Sequence, residues 1–298
     1  MTLSPVPEAL THVPRRRPWR DARRLLLGSI EGQIGCAILL VFILMLAFGP
    51  LAAPHSPTEI GVGLPDEGPS AAHLLGTDQL GRDVLSRLLD GARSVIGLPL
   101  LATALAFVVG GLTGLISAYA GGLTDAALGR VVDILVALPP LLIVLVIIAA
   151  LGSGSAVIVI SVALVYSPRV ARILRGATQA VVANEFVQAA QARGERALPI
   201  VLRELLPNIA PTVLVEFAVR LTYVIIFITT LNFLGVGTRP PSPNWGLMVA
   251  ESRPTVLTNP VATIAPAVAI GLLCVSIGLV ADSVTQRLGL KKESELLR

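Results

Sequence analysis

The chain has 298 residues, of which 54% are hydrophobic and 14% charged, with a formal net charge of +4. A soluble domain carries roughly 25% charged residues, so these values and a mean hydropathy of +0.79 exclude that class in favour of a protein that crosses a membrane several times. Lys291 and Lys292 are the only lysines, which rules out a phosphate loop of the GxxxxGK[ST] type, whose lysine must reach the phosphates.

The chain opens on a Pro- and Arg-rich stretch with Arg15, Arg16, Arg17, Arg20, Arg23 and Arg24. The apolar run after it is too long for a signal-peptide core and reads as a retained span. A bilayer core takes about 20 apolar helical residues per crossing. Six segments qualify, near 32–53, 94–120, 132–152, 155–172, 209–236 and 260–283. None alternates with period two, so helices are expected and barrel strands are not. The fold class is therefore an all-α membrane protein with six transmembrane helices. Pro168 and Arg169 are expected to cut the fourth span short. Pro99, Pro139, Pro140, Pro211 and Pro266 predict kinks whose freed carbonyls find other partners; moving hinges are the other reading. Gly110 and Gly114 make a small-xxx-small face for close helix packing.

Residues 54–93 form a long loop between the first two spans. Thr77 or Asp78 is a candidate cap for a short helix with Val84, Leu85, Leu88, Leu89 and Ala92 on one face, and Arg82 and Arg87 elsewhere. Such a helix is expected to lie on the outer membrane surface; the other reading is a loop helix packed on the bundle, which needs no further function. A second polar segment, 173–208, separates spans four and five and contains Phe186 to Asn208, FVQAAQARGERALPIVLRELLPN. With the N-terminus inside, seventeen basic residues fall on inner segments against five on outer ones. That excess places both termini and the 173–208 island in the cytoplasm. The expected organisation is a cytoplasmic tail 1–31, a six-helix domain 32–283 with outer loops 54–93 and 237–259, and a cytoplasmic tail 284–298.

His12, His55 and His73 fall in Pro-rich or polar stretches with no carboxylate or cysteine cluster in register, and Cys36 and Cys274 lie inside spans. No metal site is expected from this pattern, nor a catalytic triad. An ion-coupled transporter needs carboxylates at mid-membrane. Glu216 is the candidate, with Arg220 four residues later on the same face; Asp133 and Asp282 sit near span ends. The Glu–Arg pair neutralises itself and reads as a structural pair facing the bundle interior or as part of a polar pathway.

Four strings lead to a family: His73-Leu-Leu-Gly-Thr-Asp-Gln-Leu-Gly-Arg-Asp-Val-Leu-Ser-Arg87, the polar island, Leu231-Asn-Phe-Leu-Gly-Val-Gly237, and Pro240-Pro-Ser-Pro-Asn-Trp-Gly246. From about residue 30 to 290 the chain resembles the inner-membrane permease subunits of ATP-binding cassette importers, specifically the second permease of dipeptide and oligopeptide systems. The resemblance implies a type I importer permease fold in the cell membrane. Ala189, Ala190, Gly194, Leu206 and Pro207 fit the family's EAA loop, with Gln188 where the pattern has Glu. That loop is expected to form a coupling helix that docks on a cytoplasmic ATPase. Ile228 stands where many relatives carry an acidic residue. Glu216, Arg220 and Asn232 are the candidates for the translocation path.

The implied partners are a homologous second permease, two cytoplasmic ATP-binding domains, an extracytoplasmic substrate-binding protein and the lipid bilayer, with no nucleic acid. The chain itself is expected to bind no cofactor and to be no enzyme, ATP and Mg residing on the ATPase subunits. The implied function is half of the translocation path for dipeptides or oligopeptides; the alternative is an ion-coupled secondary transporter working without ATPases.

Overall fold

The computed structural model describes residues 29–296, with side chains as far as Gln286. His12, the basic stretch Arg15 to Arg24 and the final two residues lie outside the described residues. The helices are α1 Ile30–Ala52, α2 Val84–Ala120, α3 Gly122–Ala137, α4 Pro140–Leu151, α5 Ser155–Val182, α6 Glu185–Ala192, α7 Ala197–Phe233, α8 Trp245–Ser252 and α9 Pro260–Leu296. Apart from an isolated bridge between Thr77 and Asp83, the described residues contain no β-structure.

Five helices, α1, α2, α5, α7 and α9, are individually long and apolar enough to cross a bilayer. The third expected span is not one rod. α3 and α4 meet at 84°, because Pro139 and Pro140 supply no N–H and disfavour helical geometry in the residues before them. Leu138 and Pro139 accordingly adopt extended backbone, at ψ 138 and 119. Counting the bent pair as one span gives six.

Proline acts differently in α5, which runs through Pro168 to Val182 rather than ending there. Pro168 cannot donate to the carbonyl of Leu164, and the Ser167 hydroxyl donates to it instead at 3.0 Å. The Arg169 guanidinium takes the next carbonyl, that of Val165, at 3.1 Å. Truncation was the wrong expectation because a side chain repairs the break. Near the base of α7 the absent N–H of Pro207 is absorbed by one π turn, Val201–Leu205, where the Leu206 N–H reaches back to the Val201 carbonyl. Such single wide turns are how a helix accommodates a local misfit.

The short surface helix expected after residue 77 is absent as a separate element. Its residues form the first turns of α2, a continuous 37-residue helix, and its cap is Asp83, whose carboxylate accepts from the Ser86 N–H at 2.8 Å. Helices α2 and α7 each serve two apolar cores. One gathers Ala102, Val144, Val162, Tyr166 and Ile228 from α2, α4, α5 and α7. The other gathers Phe42, Val95, Ile225, Trp245 and Leu273 from α1, α2, α7, α8 and α9. The outward faces remain apolar and exposed, as at Leu44, Leu112, Val146 and Val275, which suits contact with lipid.

The tightest approach joins α2 to α5. A Cβ at Gly110 would collide with the Ser167 carbonyl oxygen, and one at Gly114 would stand 2.6 Å from the Ala171 carbonyl oxygen. The expected small-residue face is thus a backbone-to-backbone contact. Gly110→Val should lower stability by about 1–3 kcal/mol, the range for overpacking a close-packed interior. Gly271→Ala, where nothing lies within 4 Å, should be neutral or stabilising. Unfolding of both variants by SDS titration in mixed micelles tests this contrast.

Candidate functional site

At one end of the bundle, the loop between α1 and α2 folds against α8 through four charges, of which Asp78, Arg82 and Arg87 are buried and Glu251 is partly so. Asp78 Oδ2 accepts from Arg82 Nε at 2.7 Å and from Arg87 Nη1. Glu251 Oε2, from α8, accepts from Arg82 Nη2 at 2.7 Å and Arg87 Nη2 at 2.9 Å. Both guanidiniums have side chains only 1% exposed, so they are not on the free face that helical periodicity assigned them. The two cations and two anions alternate in a ring and cancel. Buried charges persist only when paired and hydrogen-bonded in this way.

Hydrogen bonds extend the ring into a cap. Asp78 Oδ1 accepts from the N–H groups of Leu80 and Arg82. Trp245, fully buried, donates from Nε1 to the Leu88 carbonyl at 2.8 Å and packs on the bare face of Gly91. Asn259 Nδ2 donates to the carbonyls of Glu67 and Thr77. The loop, the start of α2, α8 and the start of α9 therefore form one unit. His73 and Asp83 belong to it, with His73 Nδ1 3.0 Å from Asp83 Oδ1. Burial pushes the Asp83 carboxyl up, but hydrogen bonds from Ser86 and His73 and the proximity of His55 outweigh it and leave the group below its usual range.

The opposite end carries the polar island. α6 packs through Val187 and Ala190, both fully buried, on Ile200 and Leu205. The small side chain of Ala190 therefore serves packing within the chain, whereas Gln188 and Ala189 are exposed. The Gln188 amide donates to the Ala183 carbonyl at 3.2 Å. Gly194 turns the chain between α6 and α7 at φ +75, with open space around its Cα; its need for glycine is conformational. Leu206 and Pro207 are exposed, and Leu198, Leu202 and Leu206 make an unpartnered apolar stripe at four-residue spacing, with Phe186 exposed on α6.

Within the bundle, Arg220 Nε donates to Glu216 Oε1 at 3.0 Å. Its guanidinium lies 5.8 Å from the Tyr166 ring centroid and 5.9 Å from that of Tyr223. Arg169 approaches the same Tyr166 ring at 5.8 Å. Asn232 is fully buried. Its Nδ2 donates to the Ile228 carbonyl at 2.9 Å and its Oδ1 accepts from the Thr238 N–H at 2.6 Å, so the amide ties the turn after α7 to the helix itself. Ile228 lies in the apolar core beside Val224 and Leu231.

Comparison with known proteins gives this arrangement its family. Residues 110–290 match the family described as binding-protein-dependent transport system inner membrane component. The chain belongs to that family. Residues 17–69 match a second family, the N-terminal TM domain of oligopeptide transport permease C. The chain is 32% identical over 280 residues to the glutathione transport system permease protein GsiD of Pectobacterium atrosepticum, covering 94% of this chain and 93% of that one. It is 31% identical over 277 residues to the dipeptide transport system permease protein DppC of Alkalihalophilus pseudofirmus, covering 93% and 91%. The inward-facing MetNI methionine ABC transporter shares its fold with a TM-score of 0.57 at 15% identity, over 67% of this chain and 95% of that one. The protein is thus a membrane-embedded permease subunit of an ABC-type transport system.

Sequence reasoning missed Glu251 and misplaced Arg82 and Arg87. The signal was present in Asp78, Arg82 and Arg87, two arginines beside an aspartate in one short string. Removing one member of a buried pair leaves its partner uncompensated, at about 3–5 kcal/mol. Glu251→Gln in the permease should therefore free residues 54–83 for proteolysis and faster hydrogen exchange while leaving the α2–α5 contact protected. Limited proteolysis with peptide-resolved exchange checks this.

Proposed function

We propose that this permease forms half of the translocation path of an ATP-driven importer of dipeptides or oligopeptides, moved by separate ATPase subunits that grip residues 184–207. The observation that carries the reading is the island. A short helix anchored by Val187 and Ala190, a left-handed glycine turn and the exposed stripe Leu198, Leu202, Leu206 give a firm knob with an unsatisfied apolar face, the form that a groove on another protein accepts. The glutathione and dipeptide systems of its relatives favour small peptides as cargo.

The excess of basic residues on the island side supports a cytoplasmic position for that knob and both termini. The domain organisation follows: a transmembrane domain 32–283 between two cytoplasmic tails, with the 54–93 and 237–259 segments outside. A homologous second permease closes the path, two ATP-binding domains carrying ATP and Mg supply the energy, and a substrate-binding protein delivers cargo to the outer cap. Gln188, Ala189, Ala190, Gly194, Leu206 and Pro207 make up the coupling loop. Gln188 still offers hydrogen bonds there but no charge-assisted pair. Glu216 and Arg220 mark a polar level on the path, and their mutual neutralisation argues against an ion-coupled carrier.

A β-branched residue at φ +75 is strained by roughly 1–2 kcal/mol, whereas asparagine tolerates the left-handed region. Gly194→Val should abolish peptide uptake and lower peptide-stimulated ATP hydrolysis, with normal insertion; Gly194→Asn should retain most of both. Uptake in cells and ATPase assays on the reconstituted complex measure the contrast. Equal activity of the two variants, or peptide movement by the isolated chain under an ion gradient, overturns the reading.

A further inference from the structure

His55, His73 and Asp83 lie far apart in the sequence, and no shared spacing marks them as a set. The fold brings them together from the exit of α1, the middle of the loop and the N-cap of α2, with one ligating atom from each within 4.8 Å of the others. Asp83 Oδ1 is 3.0 Å from His73 Nδ1 and 3.9 Å from His55 Nδ1, and the two imidazoles face each other at 5.0 Å between centroids. The cluster corrects the expectation that no carboxylate stands in register with the histidines.

One atom in it is anomalous. His55 Nδ1 is shielded from solvent and has no hydrogen-bond partner among the described residues, although enclosed polar atoms are nearly always paired. It points at the carboxylate and ring nitrogen of the other two. The groups around it are held in place: the His55 N–H donates to Ser86 Oγ at 3.0 Å, and Ser86 donates from both N and Oγ to Asp83 Oδ2. That leaves Oδ1 turned toward the histidines. The Nε2 edge of His73 abuts Gly63, where a Cβ would stand only 2.8 Å away, so Nδ1 is the nitrogen presented. Ligands held by such outer hydrogen bonds are the mark of a prepared metal site.

We propose that His55, His73 and Asp83 bind a divalent transition-metal ion of the zinc class. Two imidazoles and one carboxylate suit such ions better than calcium or magnesium, which take oxygen ligands. Metal–nitrogen bonds of about 2.0–2.1 Å set tetrahedral neighbours about 3.3 Å apart, and the separations of 3.0 and 3.9 Å bracket that value. On binding, His73 takes the neutral tautomer with its ring proton on Nε2, which leaves the Nδ1 lone pair and Asp83 Oδ1 free to ligate the ion. The His55 side chain is 32% exposed, which gives an ion a route past that ring to the buried ligand atoms, with water or an external donor as the fourth ligand. The nearby guanidiniums of Arg82 and Arg87 are neutralised by Asp78 and Glu251 and leave the cation unopposed. The bound ion would clip the α1 exit, the loop and the start of α2 together.

The test uses the full chain in lipid nanodiscs, without a polyhistidine tag and stripped with a chelator. Zn2+ titration by calorimetry should give one equivalent per chain, and Co2+ should give the intense visible absorption of four-coordinate cobalt. His55→Gln and His73→Gln should each weaken Zn2+ binding by about tenfold or more, with His12→Gln binding as the parent does. Zn2+ should raise the unfolding temperature of the parent and not of His55→Gln, whose unfolding temperature without metal shows whether the variant is folded. Absence of stoichiometric binding, or unchanged affinity in His55→Gln, reduces the cluster to a hydrogen-bonded helix cap and overturns the proposal.

Discussion

Hydrocarbon offers no hydrogen bonds, and an unpaired peptide group there costs several kcal/mol. Two proline interruptions in this permease are answered locally, and threonine hydroxyls find partners in their own helices. Ser167 replaces the missing donor at Pro168, one wide turn absorbs Pro207, and Thr113 and Thr222 return their hydroxyls to the carbonyls four residues back. At Pro139 and Pro140, where two donors vanish together, the helix gives way and turns through 84°. Helices also meet at backbone distance, as α2 and α5 do at Gly110 and Gly114.

The loop end obeys a second constraint. Residues 54–83 have too few apolar side chains to build a core of their own, and they are organised instead around charge. Arg82 and Arg87 reach inward because Asp78 and Glu251 await them. Trp245 closes the cap by combining a large apolar body with one hydrogen bond to the start of α2, the pairing that a buried indole requires.

The spans were legible in the sequence because their signal is compositional, and the small-residue face because Gly110 and Gly114 are one turn apart. The Glu216–Arg220 pair followed from spacing on one helix. The bend at Pro139 and Pro140 was marked by the residues themselves, but its size depends on where α4 packs. The ion ring was not legible: Asp78 and Glu251 are 173 positions apart in the chain, and helical periodicity gives an arginine a free face without knowing what covers it. The same limit hid the meeting of His55, His73 and Asp83, and it gave Ala190 an outward role when its side chain is packed within the island.

Helix α2 has 37 residues, about 55 Å at 1.5 Å each, nearly twice the roughly 30 Å of hydrocarbon it must cross. Arg87 in its first turn is clamped by the ring. Ser117 in its last turn donates to Asp125, which Arg175 of α5 grips at 2.6 Å. A strut anchored at both tips has little slack, and its one internal proline is Pro99. The cap at one end of the bundle and the Asp125–Arg175 joint beside the island are therefore tied to the two tips of a single rod, and a load on either is carried to the other through one element.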